Sequence, residues 1–330
     1  MRKKHRSIIA ILLFCLALST AGCGSEEPSS SGAEDAQAVM EEHTEPEAPQ
    51  AVPDSQTEDA GQHYEIPEFL DVTFDQAAAQ SGAGAYIDTS HASEGYVGVS
   101  AVETSRLKFQ ILYGETTYTY NLPGDGTVTY FPLSCGDGEY YVRIMVNVVD
   151  NRYSELFATT VYVELEDQFQ PYLRPSQYVN YTRESDCVEL AEELAGESED
   201  SLDFIAKVYE YICGHVTYDY DLASSVASGY LPDPDRTLES EKGICFDYAA
   251  LAAAMLRSQG IPTKLITGYV APDDLFHAWN MIWTEKAGWI VVGFEVNEED
   301  WTRLDLTFAA NGSNADFIGD GSNYADLYQY

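Results

Sequence analysis

An alanine-rich run, from Ala249 to Arg257, constrains the fold of this chain more than any other stretch. Alanine has the highest helix propensity, and Gly260 followed by Pro262 forms a helix stop, so the pattern predicts a helix from about Ile244 to Gly260. The strand-like segments that follow it are Thr263–Val270, His277–Trp283, Trp289–Phe294 and Trp301–Phe308. One helix against an antiparallel sheet predicts an α+β fold for residues 171–330. A preceding helix is predicted over Ser201–Cys213, where apolar residues recur at four-residue intervals.

Residues 66–170 have a different composition, with short runs of Tyr, Val, Thr and Phe separated by Gly, Asn and Asp. Their spacing near ten residues predicts an all-β, sandwich-like accessory domain. The two Gly-Asp-Gly triplets at residues 124–126 and 136–138 are interpreted as hairpin turns. The predicted strands are Gly95–Val102, Leu107–Tyr113, Thr116–Leu122, Thr127–Pro132, Tyr140–Val149 and Leu156–Leu165.

The N-terminus has the layout of an export signal. Basic residues precede an apolar run, Ile8–Leu18, that is shorter than the roughly 20 residues needed to span a bilayer. Residues 1–22 are therefore interpreted as a signal peptide. Cys23 follows Thr20-Ala21-Gly22, which resembles a bacterial lipoprotein box with threonine in place of the usual leucine, and it is the predicted lipidation site. The alternative is ordinary cleavage and full secretion. Residues 23–65 are predicted to be a disordered acidic linker.

The net charge of −38 excludes some classes of partner. So acidic a chain repels phosphate backbones, and nucleic acid is not an expected partner. The cysteines left in the predicted mature body, Cys135, Cys187, Cys213 and Cys245, are too few for a disulfide scaffold, and no CxxC pair or histidine spacing indicates a metal site. We expect no metal or organic cofactor.

Cys245, at the start of the alanine-rich helix, is the candidate nucleophile, because a helix N-terminus favours a thiolate. The plainer interpretation is a small buried apolar residue. A cysteine nucleophile needs a base, and His277, which opens a strand, is the best candidate, with His215 as a competitor in a loop after a helix. Asp305, on the last strand pattern, could orient the imidazole.

Four sequence blocks, which occur in this order, make the assignment of these residues more specific. They are Gly243-Ile244-Cys245-Phe246-Asp247-Tyr248-Ala249, Leu256–Pro262 with Gly268-Tyr269, His277-Ala278-Trp279-Asn280, and Leu304-Asp305-Leu306-Thr307. Together they resemble the bacterial transglutaminase-like superfamily over about Tyr181–Phe308. The resemblance implies a papain-like core in which Cys245 is the nucleophile, His277 its base and Asp305 the residue that orients His277. Leu306 stands where that family often has proline, and residues 295–300 form an insertion.

The resulting prediction is a cysteine acyl-transfer enzyme that acts on amide bonds through a thioester, as a peptidase or amidase or as a transglutaminase. It would be exported, lipid-anchored on the outer face of the cell membrane, and would act on a protein or peptide, with cell-wall peptide as one candidate. The alternative is a non-enzymatic surface module that retains the fold. A side chain between Tyr209 and Tyr220 is expected to assist the backbone N–H of Cys245 in stabilising an oxyanion. Asp247 is predicted to cap the helix or pair outward, and Arg257 to pair with a carboxylate.

Overall fold

The computed structural model describes residues 63–270, 275–285, 287–292 and 324–330. Residues 59–330 belong to one compact unit. The predicted signal peptide, Cys23, almost all of the predicted linker and Asp305 lie outside the described residues. Within the described ranges, no helix is both long enough and apolar enough to cross a bilayer.

The first part of the described chain forms eight strands in two antiparallel sheets. The strands are β1 (Gln80–Gly82), β2 (Ala85–Asp88), β3 (Tyr96–Ala101), β4 (Leu107–Tyr113), β5 (Thr116–Leu122), β6 (Thr129–Pro132), β7 (Gly138–Val149) and β8 (Arg152–Val163). One sheet has the order β1-β2-β3-β6, and the other has the order β5-β4-β7-β8. A short 3₁₀ turn at Ala92–Glu94 lies between β2 and β3, and another at Gln170–Tyr172 follows β8.

The two sheets share one apolar core. In β4, Leu107, Phe109 and Ile111 are buried while the residues between them are partly exposed, which is the alternation of a strand with one face inward. Phe109 meets Phe131 of the other sheet with ring centroids 4.5 Å apart. This antiparallel, two-sheet arrangement agrees with the predicted all-β region.

The prediction of hairpins at the two Gly-Asp-Gly triplets is wrong. Residues 124–126 lead from β5 to β6, and residues 136–138 lead from β6 to β7, so the chain changes sheet at both places. The hairpins instead join β1 to β2, β4 to β5 and β7 to β8. Glycine permits a sharp reversal, but it does not determine which sheet the next strand joins.

The second part of the described chain is α+β, as predicted. Its elements are α1 (Asp186–Gly196), α2 (Ser201–His215), β9 (Thr217–Tyr218), α3 (Tyr220–Ser225), α4 (Pro234–Ser240), β10 (Lys242–Gly243), α5 (Cys245–Ser258), β11 (Thr263–Val270), β12 (Leu275–Thr284), β13 (Gly288–Val292) and β14 (Tyr324–Gln329). The last four strands form an antiparallel sheet in the order β13-β12-β11-β14, and β9 pairs with β10 in parallel. The strand predicted at Trp301–Phe308 lies outside the described residues.

Helix α5 is the centre of this second part. Every residue from Asp247 to Ser258 is buried, because α1, α2 and α4 pack on it from one side and β11 and β12 from the other. A helix that is apolar on all sides must be enclosed, and its alanines let the neighbouring elements approach closely.

Tyrosines connect the two parts of the described chain. Tyr118 lies 5.2 Å from Tyr328 and 5.7 Å from Tyr330, measured between ring centroids, and Tyr120 lies 5.4 Å from Tyr178. The boundary near residue 170 remains a prediction. The contacts place the β5 face directly behind the segment that contains β14.

Candidate active site

The start of α5 is fixed by Asp247. Its carboxylate accepts a hydrogen bond from the backbone N–H of Ile244 at 2.8 Å and another from the Tyr230 hydroxyl at 2.7 Å. The side chain therefore caps the helix, as predicted, and it is 2% exposed. A Cβ at position 243 would lie 2.7 Å from the Asp247 Cβ, so this close approach requires Gly243.

Cys245 and His277 meet at one cleft. Cys245 is the first residue of α5, and His277 lies near the start of β12. Both line a cleft of about 550 Å³. The backbone N–H of Ala278, the residue after His277, acts to lower the pKa of the Cys245 thiol. The fold thus brings together two of the three residues predicted for catalysis, and the third, Asp305, lies outside the described residues.

The protonation state of Cys245 differs from the expectation. Burial raises the pKa of the thiol and is the largest effect, although the N–H groups of Ala278, Phe246 and Cys245 itself act to lower it. The charge of Asp247 raises it further. The prediction that the helix start yields a thiolate is therefore wrong in its net direction, because desolvation outweighs the amides. At neutral pH the sulfur carries its proton and needs a base at the moment of attack.

His277 stands beside a large buried aromatic ring. The indole of Trp279, two residues along β12, lies nearly parallel to the imidazole with centroids 6.4 Å apart, and Trp279 is fully buried. Gly268 pairs with His277 across the sheet, and a Cβ there would lie 2.8 Å from the tip of that indole. The imidazole of His277 therefore lies next to a large apolar ring on the same strand.

The competing histidine lies elsewhere. His215 is the last residue of α2, is exposed, and hydrogen-bonds through Nδ1 with the carbonyl of Tyr211 at 2.8 Å. It does not line the cleft. The four described cysteines are free thiols, so no disulfide removes Cys245. In the described ranges, no three His, Cys, Asp or Glu residues stand close enough to hold a metal ion.

Tyr218 is the residue of the Tyr209–Tyr220 stretch that reaches the cleft. The parallel pairing of β9 with β10 places it opposite Gly243, two residues before the nucleophile. Burial, followed by the nearby Cys245 sulfur, raises its pKa to about 12, so at neutral pH its hydroxyl keeps the proton it could donate. The sequence indicated the stretch but not the residue, because only the strand pairing distinguishes Tyr218 from its neighbours.

Asn280 connects the elements around the site, a structural role that the sequence analysis did not predict. It is fully buried, and its Nδ2 donates to the carbonyls of Ala249 at 3.0 Å and Lys264 at 3.3 Å. Its Oδ1 accepts a hydrogen bond from the Tyr209 hydroxyl at 2.9 Å. The amide of Asn280 therefore joins α2, α5, β11 and β12. Its contact on α5, Ala249, lies one helical turn after Cys245, and Asn280 itself lies three residues after His277.

Arg257 differs from its predicted role. It is 2% exposed, and its guanidinium donates to the backbone carbonyls of Thr263 at 2.8 Å, Arg174 at 3.0 Å and Tyr330 at 2.7 Å. Burial lowers its pKa to about 10. Within the described part of the chain it forms no ion pair with a carboxylate. It holds the end of α5 to β11 and to the segment around residue 330.

Residues 158–294 match the family described as the transglutaminase-like superfamily. This range contains Cys245 and His277 and ends before Asp305. An uncharacterised protein of Mycobacterium bovis is 30% identical over 108 residues, which cover 28% of this chain and 31% of that protein. The chain thus spans about a third of the length of the curated relatives it matches first.

Two solved structures are similar over larger shares of the chain. A candidate cysteine protease of Cytophaga hutchinsonii is 19% identical, covers 63% of this chain and 70% of its own, and has a TM-score of 0.34. Red sea bream transglutaminase is 14% identical, covers 64% of this chain and 48% of its own, and has a TM-score of 0.27.

Proposed function

Because residues 158–294 match the transglutaminase-like superfamily, we propose that this protein is a cysteine acyl-transfer enzyme that attacks amide bonds through a thioester on Cys245. The observation that carries the proposal is the shared cleft, which the Cys245 thiol and His277 line together.

In the proposed reaction, the sulfur of Cys245 forms a bond to the amide carbonyl carbon while His277 accepts the thiol proton. The carbonyl oxygen becomes an oxyanion, for which the backbone N–H of Cys245 and the hydroxyl of Tyr218 are the proposed donors. His277 then gives its proton to the leaving nitrogen as the C–N bond breaks, which leaves a thioester. Asp305 is proposed, on the family resemblance, to hold the imidazole in position.

The second half of the reaction decides between hydrolysis and cross-linking. Water or a primary amine attacks the thioester, His277 accepts a proton from it, and the C–S bond breaks as that proton returns to the sulfur. We favour a peptide or protein substrate and water as the usual acceptor. The proposal includes no metal or organic cofactor.

The experiment that tests this function measures amide turnover by the full chain. A mixture of N-acetylated peptide amides is incubated with the protein, and released amine and new carboxylate are quantified with and without added methylamine. Cys245→Ala and His277→Ala should each abolish turnover, whereas Cys213→Ala, which removes a partly buried cysteine outside the cleft, should retain it. Equal turnover by wild type and Cys245→Ala would refute the proposal.

A non-enzymatic surface module is the second candidate, and one observation favours it. The buried position of Cys245 raises the pKa of its thiol, as expected for an inert core cysteine. Such a module would bind a peptide in the cleft without breaking any amide. It predicts no turnover with any peptide in the mixture and unchanged binding by Cys245→Ala.

We also propose that the protein is exported and anchored to the outer face of the cell membrane through a lipid on Cys23, with residues 23–65 as the tether. The support is the sequence layout: a basic start, a short apolar run and small residues before Cys23. Cells fed radiolabelled palmitate should label the wild-type chain and not Cys23→Ser. Label on both, or on neither, would contradict the lipid anchor.

A further inference from the structure

One side of the cleft beside Cys245 is a continuous aromatic wall. Tyr178 lies 5.2 Å from Phe246 and 4.7 Å from Tyr330, measured between ring centroids, and Tyr330 lies 6.2 Å from Tyr328. All four rings line the cleft. The wall thus begins at Phe246, the residue next to the nucleophile, and extends away from it.

The aromatic wall is supported from behind by the β-sheet region. Tyr118 of β5 contacts both Tyr328 and Tyr330, and the hydroxyl of Ser134 donates to the carbonyl of Gln329 at 2.8 Å. Rings held by other rings lose little freedom when a ligand arrives, so the wall is organised before binding. Small residues of the segment 223–229, including Ala223, Ala227 and Gly229, also line the cleft.

The described lining of the cleft contains no Lys, Arg, Asp or Glu side chain. That is notable in a chain in which 22% of the residues are charged. Apolar side chains also lie at its mouth, where Val226 is 38% exposed and Phe276 is 56% exposed. A charged ligand group would lose hydration here without meeting a Lys, Arg, Asp or Glu partner in the described lining, whereas an apolar group would cover surface now in contact with water.

We propose that this cleft selects the acyl side of the substrate, by binding a bulky aromatic or branched apolar side chain of a peptide next to the attacked carbonyl. The identity of the occupant rests on the proposed function, because Cys245 at one end of the aromatic wall places the side chain beside the reacting bond. The volume of about 550 Å³ lies within the range of small-molecule sites and accommodates a phenylalanine side chain with adjoining backbone.

The test uses binding, so that it does not depend on turnover. Full-length Cys245→Ala is titrated calorimetrically with the peptides N-acetyl-Ala-X-Gly-amide, in which X is Phe, Leu, Gly, Lys or Glu. Burying a large apolar side chain favours binding enough for the Phe and Leu peptides to bind at least about tenfold more tightly than the Gly peptide. The Lys and Glu peptides should bind no more tightly than the Gly peptide.

Two variants in the Cys245→Ala background identify the surface that binds. Phe246→Ala should reduce the preference for Phe over Gly, while Tyr162→Ala, at a position 74% exposed on β8 outside the cleft, should leave it unchanged. Equal affinities across the series, or tightest binding of the Lys or Glu peptide, would overturn the proposal. If the Phe peptide binds selectively but the wild type turns over no amide, the proposed enzymatic function fails while the proposed selectivity of the cleft stands. The two failures are therefore distinguishable.

Discussion

Asn280 ties the strand that carries His277 to the helix that carries Cys245, and replacing it with leucine should destabilise the protein strongly. Leucine has a similar size but no hydrogen-bonding group. The substitution removes the buried bonds to the carbonyl of Ala249 and from the hydroxyl of Tyr209, and the partly buried bond to the carbonyl of Lys264.

The magnitude follows from these three bonds. Each buried hydrogen bond contributes about 1 kcal/mol net, and the buried Tyr209 hydroxyl left facing leucine adds a further penalty of about 1–2 kcal/mol. The expected loss in the free energy of unfolding is therefore about 4–5 kcal/mol, a large fraction of the ~5–15 kcal/mol typical of a folded protein. Tyr209→Phe removes one of the bonds and should cost about 1 kcal/mol.

Urea denaturation followed by circular dichroism measures both values, with Asn151→Leu, at an exposed turn position, as the matched control expected to change stability by less than about 0.5 kcal/mol. A loss below about 1 kcal/mol for Asn280→Leu would refute the view that this amide joins the helix to the sheet. Because Ala249 lies one turn after Cys245, the folded fraction of Asn280→Leu should also turn over amides more slowly than wild type.

Three further predictions follow from the buried polar groups of the site. Arg257→Met leaves three buried carbonyls without their donor and should lower the free energy of unfolding by about 3–5 kcal/mol, measured by urea denaturation; a loss under 1 kcal/mol would contradict the role assigned to the guanidinium. Asp247→Asn removes a negative charge that raises the pKa of the Cys245 thiol, so the pH midpoint of iodoacetamide labelling at Cys245 should fall; an unchanged or higher midpoint would refute the electrostatic effect. Tyr218→Phe should reduce kcat for amide turnover about 10²–10³-fold with little change in KM, as for loss of an oxyanion donor, and wild-type kcat would remove Tyr218 from that role.

Much of the fold was predictable from local patterns. The alanine-rich run with its Gly260 stop predicted α5 to within two residues of its end, and strand-like runs of residues predicted β4, β5 and β11 with the bounds they have. These elements depend on short-range propensity and on burial of one face, both of which can be read in a single sequence. The short strands β1 and β2 were missed, because three or four residues carry too little periodicity.

What could not be predicted depends on contacts between distant segments. The two Gly-Asp-Gly triplets indicated turns correctly, but their role in changing sheets depends on pairing with strands far along the chain. In the sequence, Asn280 is one polar residue on a predicted strand. Its hydrogen bonds with Ala249, Lys264 and Tyr209 became evident only from the structure. The pKa of Cys245 required knowledge of how deeply the first turn of α5 is buried, which a helix start alone does not reveal.

Rapid-quench mass spectrometry of the acyl-enzyme determines whether Cys245 is the nucleophile. Wild-type protein is mixed with excess N-acetyl-Ala-Phe-Gly-amide, quenched in acid within milliseconds to seconds, and digested to locate any added acyl mass. We expect an acyl group on Cys245 that hydroxylamine removes, and none in His277→Ala at the same times. An acyl group on another residue, or no acyl group while amide turnover proceeds, would contradict this expectation.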